Sequence, residues 1–209
     1  MYEIELKAHV ADWQGTATRL DGFAHYCGMV MKDDVYYALH GGPAARVRTE
    51  TPLRAQDGHG MRGAVAAGAQ RVFFTYKRKE MHASNGAAVE VNDELECELG
   101  NGAPLVAFLS DSGCTVVLEK HKRTERWRYG DVCIELCEVP PLGDFLELEV
   151  LADCDDAPTV ADARARLLDV LSRAGIGHDQ LEERYYRDMV RAAVADDLST
   201  DGEQKSAYV

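Results

Sequence analysis

Charged side chains recur at every second position along several short segments of this chain, with large apolar side chains between them. The clearest segment opens the sequence, where Glu3, Glu5 and Lys7 alternate with Ile4 and Leu6. Side chains at i and i+2 of a β-strand point to the same face, so each such segment predicts a strand with one charged and one apolar face. The same spacing relates Arg46 to Arg48, Lys77 to Lys79, Lys120 to Lys122, and Glu147 to Glu149.

Short turns join most of these strand patterns, which predicts antiparallel pairing. About eight strands are expected, the number at which a sheet can close around a lumen. Residues 52–69 are expected to form a long mobile loop, Ser84–Gly86 a hairpin turn, and 92–109 a helical stretch. Helical periodicity also predicts helices between Pro158 and Gly175 and over 181–194. We therefore predict an α+β fold, a closed eight-stranded antiparallel β-barrel with helices packed outside.

The charge balance limits the partners of this chain. Its 209 residues carry a formal net charge of −13, which argues against nucleic acids and anionic membranes as partners because both require a basic face. The start is charged within three residues and no apolar run approaches the roughly 20 residues of a membrane span, so a cytoplasmic protein is expected. Residues 1–195 are predicted to form one domain and 196–209 a polar, disordered tail. A homodimer is one possible assembly of the chain.

Two interpretations of the alternating charges compete. An ordinary barrel would place its apolar side chains inside and leave the charges in solvent. However, carboxylates and cations occupy separate strands here, and the helices need an apolar sheet face to cover, which can be the outside of the barrel. The charges would then face the lumen. Cations on one wall and carboxylates on another suit a polyphosphate bound with a hard divalent metal.

The order of the motifs resembles one family. Glu3-Ile4-Glu5-Leu6-Lys7 is similar to the ExExK motif of the CYTH superfamily of triphosphate tunnel metalloenzymes, which includes class IV (CyaB-type) adenylate cyclases and thiamine triphosphatases. Over residues 1–192 further segments resemble family motifs in the same order: 32–37, 45–48, 74–79, 117–122, 141–149 and the helix containing Glu183, Arg184, Tyr185, Tyr186 and Met189.

The resemblance implies roles for individual residues. The implied ligands of Mg²⁺ or Mn²⁺ are Glu3, Glu5, Glu147 and Glu149. The implied triphosphate ligands are Arg46, Arg48, Lys77, Lys79, Lys120 and Lys122. Lys7 and Lys120 are implied to assist catalysis at the phosphates. Arg78, between two predicted ligands, is expected on the opposite face of its strand.

One position departs from the family pattern. Cys137 stands where the family has an aspartate, and a cysteine is a poor ligand for Mg²⁺. Glu135 lies two residues earlier on the same strand face and is a hypothetical replacement with a catalytic role. The remaining cysteines lack CxxC spacing and are expected to be reduced, buried thiols.

The leading hypothesis is a metal-dependent adenylate cyclase of class IV type, which would convert ATP to cyclic AMP and pyrophosphate. The first alternative is a triphosphatase that hydrolyses inorganic, thiamine or nucleoside triphosphate, because the same tunnel could serve either reaction. The second alternative is a non-catalytic sensor of nucleotide or polyphosphate. The altered aspartate position would suit the sensor.

Overall fold

The computed structural model describes residues 1–39, 44–55, 63–83 and 89–193, without the side chains of 79–83. The strands in these ranges are β1 (Tyr2–His9), β2 (His25–Ala38), β3 (Ala44–Arg54), β4 (Val65–Ala66), β5 (Arg71–Ala83), β6 (Val89–Leu99), β7 (Thr115–Tyr129), β8 (Val132–Val139) and β9 (Gly143–Ala152). The helices there are α1 (Trp13–Asp21), α2 (Ala103–Asp111), α3 (Ala157–Arg173) and α4 (186–193).

The strands form one closed sheet. Their order is β2-β7-β8-β9-β1-β6-β5-β3, and pairing of β2 with β3 completes the ring, while β4 adds a short edge to β3. Every strand pair in the sheet is antiparallel. The predicted eight-stranded antiparallel barrel is therefore confirmed.

The apolar core lies between the outside of the barrel and the helices. Ile4 and Leu6 of β1 are at most 2% exposed and pack in one cluster with Leu167 and Leu171 of α3. Because α1 and α3 cover this outer face, alternation along β1 turns its charged side chains into the lumen. The barrel thus reverses the usual arrangement of an apolar inside and a polar outside.

Local signals set the helix ends. Asp156 caps α3 by accepting a hydrogen bond from the backbone N–H of Thr159 at 2.9 Å, and Pro158 occupies the first turn, where its missing N–H has no helical partner to lose. The chain leaves α3 through Gly175, whose φ of 79° favours glycine. The predicted helix before Gly175 is confirmed.

Some boundaries differ from the sequence-based expectations. Residues 92–99, expected to be helical, belong to β6, and α2 begins only at Ala103. Within the expected loop over 52–69, β3 continues to Arg54 and β4 is a strand, while 56–62 lie outside the described residues. The chain turns helical at 186 rather than 181.

Other expectations fall outside the described residues or are corrected in part. The turn at Ser84–Gly86 and the tail at 196–209 lie outside them. All six cysteines are free thiols, but Cys27, Cys97 and Cys154 are exposed rather than buried. Among the described helices, none combines the length and apolar character that crossing a membrane requires.

Candidate active site

The barrel encloses a cavity of about 940 Å³. Its wall includes every predicted site residue except Lys79, whose side chain lies outside the described part of the chain. The predicted residues on the wall are Glu3, Glu5, Lys7, Arg46, Arg48, Lys77, Lys120, Lys122, Glu135, Glu147 and Glu149. Side chains far apart in sequence therefore share one hollow.

Strand register brings specific residues side by side. Glu5 of β1 is the cross-strand partner of Glu149 on β9, and Lys7 is the partner of Glu147. On the other side of β9, Glu147 faces Glu135 of β8. The β8–β9–β1 part of the wall is thus rich in carboxylates, because strand pairing aligns their alternating positions.

The opposite wall is organised around a buried aspartate. Asp34 of β2, with a side chain 0% exposed, accepts two hydrogen bonds from the Arg48 guanidinium at 2.6 and 3.0 Å and lies 3.3 Å from Lys120 Nζ. Burial alone would raise the pKa of Asp34, but Arg48 and Lys120 hold it well below its usual range. Asp34 therefore stays ionised and fixes both cations.

Arg46 and Lys77 extend this cationic wall. Arg46 donates to Thr75 Oγ1 at 3.0 Å and to Glu96 at 3.4 Å, and Lys77 forms an ion pair with Glu94. Burial opposes the charge of Lys77, yet carboxylates including Glu3 and Glu94 raise the pKa of Lys77 above its ordinary value. The cations are held in place by neighbouring acids before any ligand arrives.

A buried lysine also neutralises part of the acidic wall. Lys122 Nζ donates to Glu147 at 2.6 Å and to Glu135 at 3.1 Å, and Lys32 pairs with Glu135 as well. Burial alone would raise both carboxyl pKa values. The lysines instead lower the pKa of Glu147 to about 2, and that of Glu135 below its ordinary value. We name Glu135 and Glu147 the lysine-paired carboxylates.

Glu3, Glu5 and Glu149, which we name the crowded carboxylates, have different surroundings. Burial raises the pKa of Glu149 to about 7, with the charges of Glu5 and Glu135 adding to the rise. Burial also raises the pKa of Glu3 well above its usual value, against the opposing charge of Lys77. This part of the wall holds more negative charge than nearby cations offset.

Helix α4 forms part of the cavity wall near Lys7. Tyr186 of α4 lines the cavity, and its hydroxyl donates to Glu147 Oε1 at 2.5 Å. The sequence suggested the family's closing helix, but it did not indicate a contact between this tyrosine and the acidic wall.

Comparison with known proteins agrees with this geometry. The family model of the CYTH domain matches residues 1–186. The chain belongs to the CYTH domain family. No match was found among the curated proteins.

Solved structures share the CYTH fold. The PH1819 protein from Pyrococcus horikoshii is 22% identical with a TM-score of 0.72, covering 91% of this chain and 99% of that one. A candidate adenylate cyclase from Vibrio parahaemolyticus is 14% identical with a TM-score of 0.68, covering 91% and 98%. A candidate adenylyl cyclase from Hippeastrum, described as having dominant triphosphatase activity, is 15% identical with a TM-score of 0.61, covering 92% and 95%.

Two groups of side chains in this CYTH site offer ligand atoms to a metal ion. Among the described residues, Glu135, Cys137 and Glu147 are the group whose ligand atoms lie within 4.8 Å of one another. Burial raises the pKa of the Cys137 thiol to about 12, so the thiol stays protonated, and the Lys122 ammonium already bonds to both carboxylates. A hard divalent cation fits this group poorly.

The crowded carboxylates fit a divalent cation better. Oxygen ligands suit Mg²⁺ and Mn²⁺, and an added cation would relieve the burial and repulsion that raise the pKa of Glu3 and Glu149. Asn92, the strand partner of Glu3, is 0% exposed and has neither amide atom hydrogen-bonded within the described residues. Asn92 does not line the cavity, but its buried amide leaves hydrogen-bonding capacity unused beside Glu3.

Several residues of this CYTH site were not predicted from the sequence. Glu90 and Glu94 line the cavity, but their segment was assigned in part to a helix. The signal was available, since polar residues alternate with less polar ones along this segment except at Asp93; the alternating positions are Glu90, Asn92, Glu94, Glu96 and Glu98. The cavity wall also includes Lys32, Tyr36 and Glu50. Asp34 does not line the cavity but pairs with Arg48 and Lys120, which do.

The expected position of Arg78 is wrong. A register shift between Lys77 and Lys79 interrupts the pairing of β5 with β6, and Arg78 lines the cavity with its side chain 54% exposed. A bulge adds a residue to one strand and re-aims its side chains, so simple alternation fails there.

Proposed function

We propose that this CYTH protein is a divalent-metal-dependent enzyme that acts on a triphosphate inside the barrel, most like a class IV adenylate cyclase. The observation that carries the proposal is a single cavity in which the crowded carboxylates face a wall of fixed arginines and lysines. Such a wall can neutralise phosphoryl oxygens, while carboxylates hold a hard cation that bridges phosphates.

The cationic wall would bind the phosphates. Arg46, Arg48, Lys77, Lys120 and Lys122 are oriented by ion pairs that an incoming anion can share. We propose Lys79 and Lys7 as further phosphate contacts. Because these groups are positioned before binding, little reorganisation is needed when charge develops on the phosphates.

We propose Glu3, Glu5 and Glu149 as the main ligands of Mg²⁺ or Mn²⁺, with Glu147 at their edge. The ion would supply charge neutralisation at the phosphates and electrophilic activation of the reacting phosphorus. Both oxygens of Glu147 already accept a hydrogen bond, from Lys122 at 2.6 Å and from the Tyr186 hydroxyl at 2.5 Å, so Glu147 would bind the ion through a lone pair that these bonds leave open.

The size of the cavity supports a nucleotide substrate. A volume of about 940 Å³ lies at the upper end of the range for sites of drug-sized ligands, and apolar side chains such as Leu95, Leu118 and Leu151 join the charged ones on the wall. A nucleoside could contact this apolar part while its phosphates meet the cations. In the cyclase reaction, the ribose 3′ oxygen would bond to the α-phosphorus as the bond to pyrophosphate breaks.

A triphosphatase is the second candidate, because the fixed cations of the cavity wall would hold a triphosphate whichever phosphorus is attacked. The sequence hypothesis made Glu135 a replacement carboxylate with a catalytic role. Glu135 is instead held by Lys32 and Lys122, and its pKa is lowered despite burial, so it is a weak base. Glu135 would therefore be a poor base for the ribose hydroxyl of the cyclase reaction and equally for the attacking water of a triphosphatase.

One assay separates the candidates. The purified protein is incubated with ATP and, separately, with tripolyphosphate, each with Mg²⁺ and with Mn²⁺, and the products are separated chromatographically. Cyclic AMP with pyrophosphate from ATP supports the cyclase, and orthophosphate release supports the triphosphatase. Binding of either compound without turnover would overturn the enzyme proposal and favour a sensor.

A further inference from the structure

Tyr186 touches both walls of the cavity. Its hydroxyl donates to Glu147 Oε1 at 2.5 Å, while Lys122 donates to the other oxygen of the same carboxylate. Its ring lies 4.8 Å from Lys7 Nζ and 4.5 Å from Lys120 Nζ, within the range of cation–π attraction. One side chain therefore contacts an acid of one wall and two ammonium groups proposed to meet the phosphates.

The chain on either side of Tyr186 is fixed to the barrel. Before it, the backbone N–H of Glu182 donates to the carbonyl of Lys7 at 2.8 Å. After it, Met189 is 4% exposed and packs in a cluster with Cys137 and Phe145. The Phe145 ring itself meets the Tyr186 ring edge-on at 5.3 Å. Contacts on both sides hold the tyrosine in one place.

We propose that Tyr186 is a positioning residue that orients Glu147 through its hydroxyl and Lys7 and Lys120 through its ring. It would coordinate the metal-binding and phosphate-binding parts of the site without touching a reacting atom. The proposal rests on the proposed function, because it assumes that these groups meet a metal ion and a triphosphate.

The two contacts should have separable effects. Hydrogen bonds to a carboxylate that binds metal fix its orientation, and losing such a partner commonly costs about 10- to 100-fold in metal affinity. The cation–π contacts restrict where the two ammonium groups point. Tyr186→Phe removes only the hydroxyl contact, whereas Tyr186→Leu removes both.

The experiment measures binding apart from turnover. The affinity for Mn²⁺ is measured by electron paramagnetic resonance in the absence of substrate. The affinity for tripolyphosphate is measured by isothermal titration calorimetry in a buffer that contains a metal chelator, so that divalent ions do not contribute. We expect Tyr186→Phe to raise the Kd for Mn²⁺ about 10-fold and leave that for tripolyphosphate within about 2-fold. Tyr186→Leu should raise both about 10-fold. Tyr26→Phe is the matched control, since Tyr26 is 43% exposed and packs against Trp127, a residue of the core outside the barrel.

The outcomes distinguish this proposal from the proposed function. Wild-type-like affinities in both Tyr186 variants, or equal losses of both affinities in Tyr186→Phe, would overturn the positioning role. A wild-type protein that binds both probes but turns over no triphosphate would overturn the enzyme proposal, while the variants still decide the role of Tyr186. Wild-type protein that binds neither probe would overturn both.

Discussion

Glu147 and Glu149 lie two residues apart on one strand and face the same cavity, yet their charges have opposite energetic consequences. Lys122 lowers the pKa of Glu147 to about 2 against the effect of burial, whereas burial and neighbouring acids raise that of Glu149 to about 7. The pKa of a lumen carboxylate therefore depends on its neighbours across the sheet. Lysines offset the charges of the lysine-paired carboxylates, whereas burial and like charges disfavour the ionisation of Glu149.

Removing the shared lysine should produce the largest effect on this comparison. Lys122→Met removes one buried ammonium from both lysine-paired carboxylates. Glu135 keeps Lys32, whereas Glu147 loses its lysine partner, and breaking a buried ion pair costs about 3 to 5 kcal/mol. We expect the free energy of unfolding to fall by about 3 kcal/mol at neutral pH, measured by urea denaturation. Arg166→Met, at a pair with Asp131 in which Arg166 is 38% exposed, should cost less than about 1 kcal/mol. Equal losses of stability in the Lys122 and Arg166 variants would contradict the view that the buried pairs of Lys122 stabilise the fold more than a partly exposed pair does.

Two adjacent cations of β5 test how far the cavity wall depends on register. Lys77→Met should raise KM for the triphosphate about 30-fold, because a buried charged contact is worth about 2 kcal/mol. Arg78→Met should change KM less than about 3-fold, since that side chain is 54% exposed at the cavity and pairs with Asp93. Steady-state kinetics on both variants checks this. Similar sensitivity would show that the bulge turns Arg78 fully into the site.

The raised pKa of Glu149, one of the crowded carboxylates, should make the stability of the protein depend on pH. The pKa of Glu149 is about 7 in the fold against an ordinary value of 4.5. The folded state therefore binds the proton more tightly, so the stability of metal-free protein should fall as pH rises from about 4.5 to about 7 and level off above. Urea midpoints across this range, with and without Mn²⁺, measure the effect. Glu149→Gln should flatten the slope, and an unchanged slope would assign the titration elsewhere.

The smallest effect is expected at Glu135. Because Lys122 keeps its bond to Glu147, Glu135→Gln should lower metal-dependent turnover only about 10-fold, through looser placement of Lys32 and Lys122. Comparison of kcat and KM with those of wild type tests this. An unchanged rate would show that Glu135 has no role in turnover. A loss above about 1000-fold would show that Glu135 acts directly in catalysis.

Much of the barrel could be predicted because alternation is a local property. The charged positions predicted for the site on β1, β3, β7 and β9 all line the cavity, as the spacing indicated. The prediction failed where two local signals competed, as at 92–99, where the cap-like residues Asn92 and Asp93 suggested a helix and Asp93 interrupted an otherwise regular strand pattern. It failed again at Arg78, because a bulge depends on pairing between strands rather than on either sequence alone.

By itself, the sequence determined which faces of the strands are charged, and its motif order pointed to the CYTH family. Only the tertiary structure decided which charges neutralise each other. Lys122 lies between Glu135 and Glu147 and leaves Glu149 among acids because strand register, the closure of the barrel and the position of α4 fix these distances. Electrostatic energies depend on separation and burial, and neither quantity can be read from the spacing of residues along the chain.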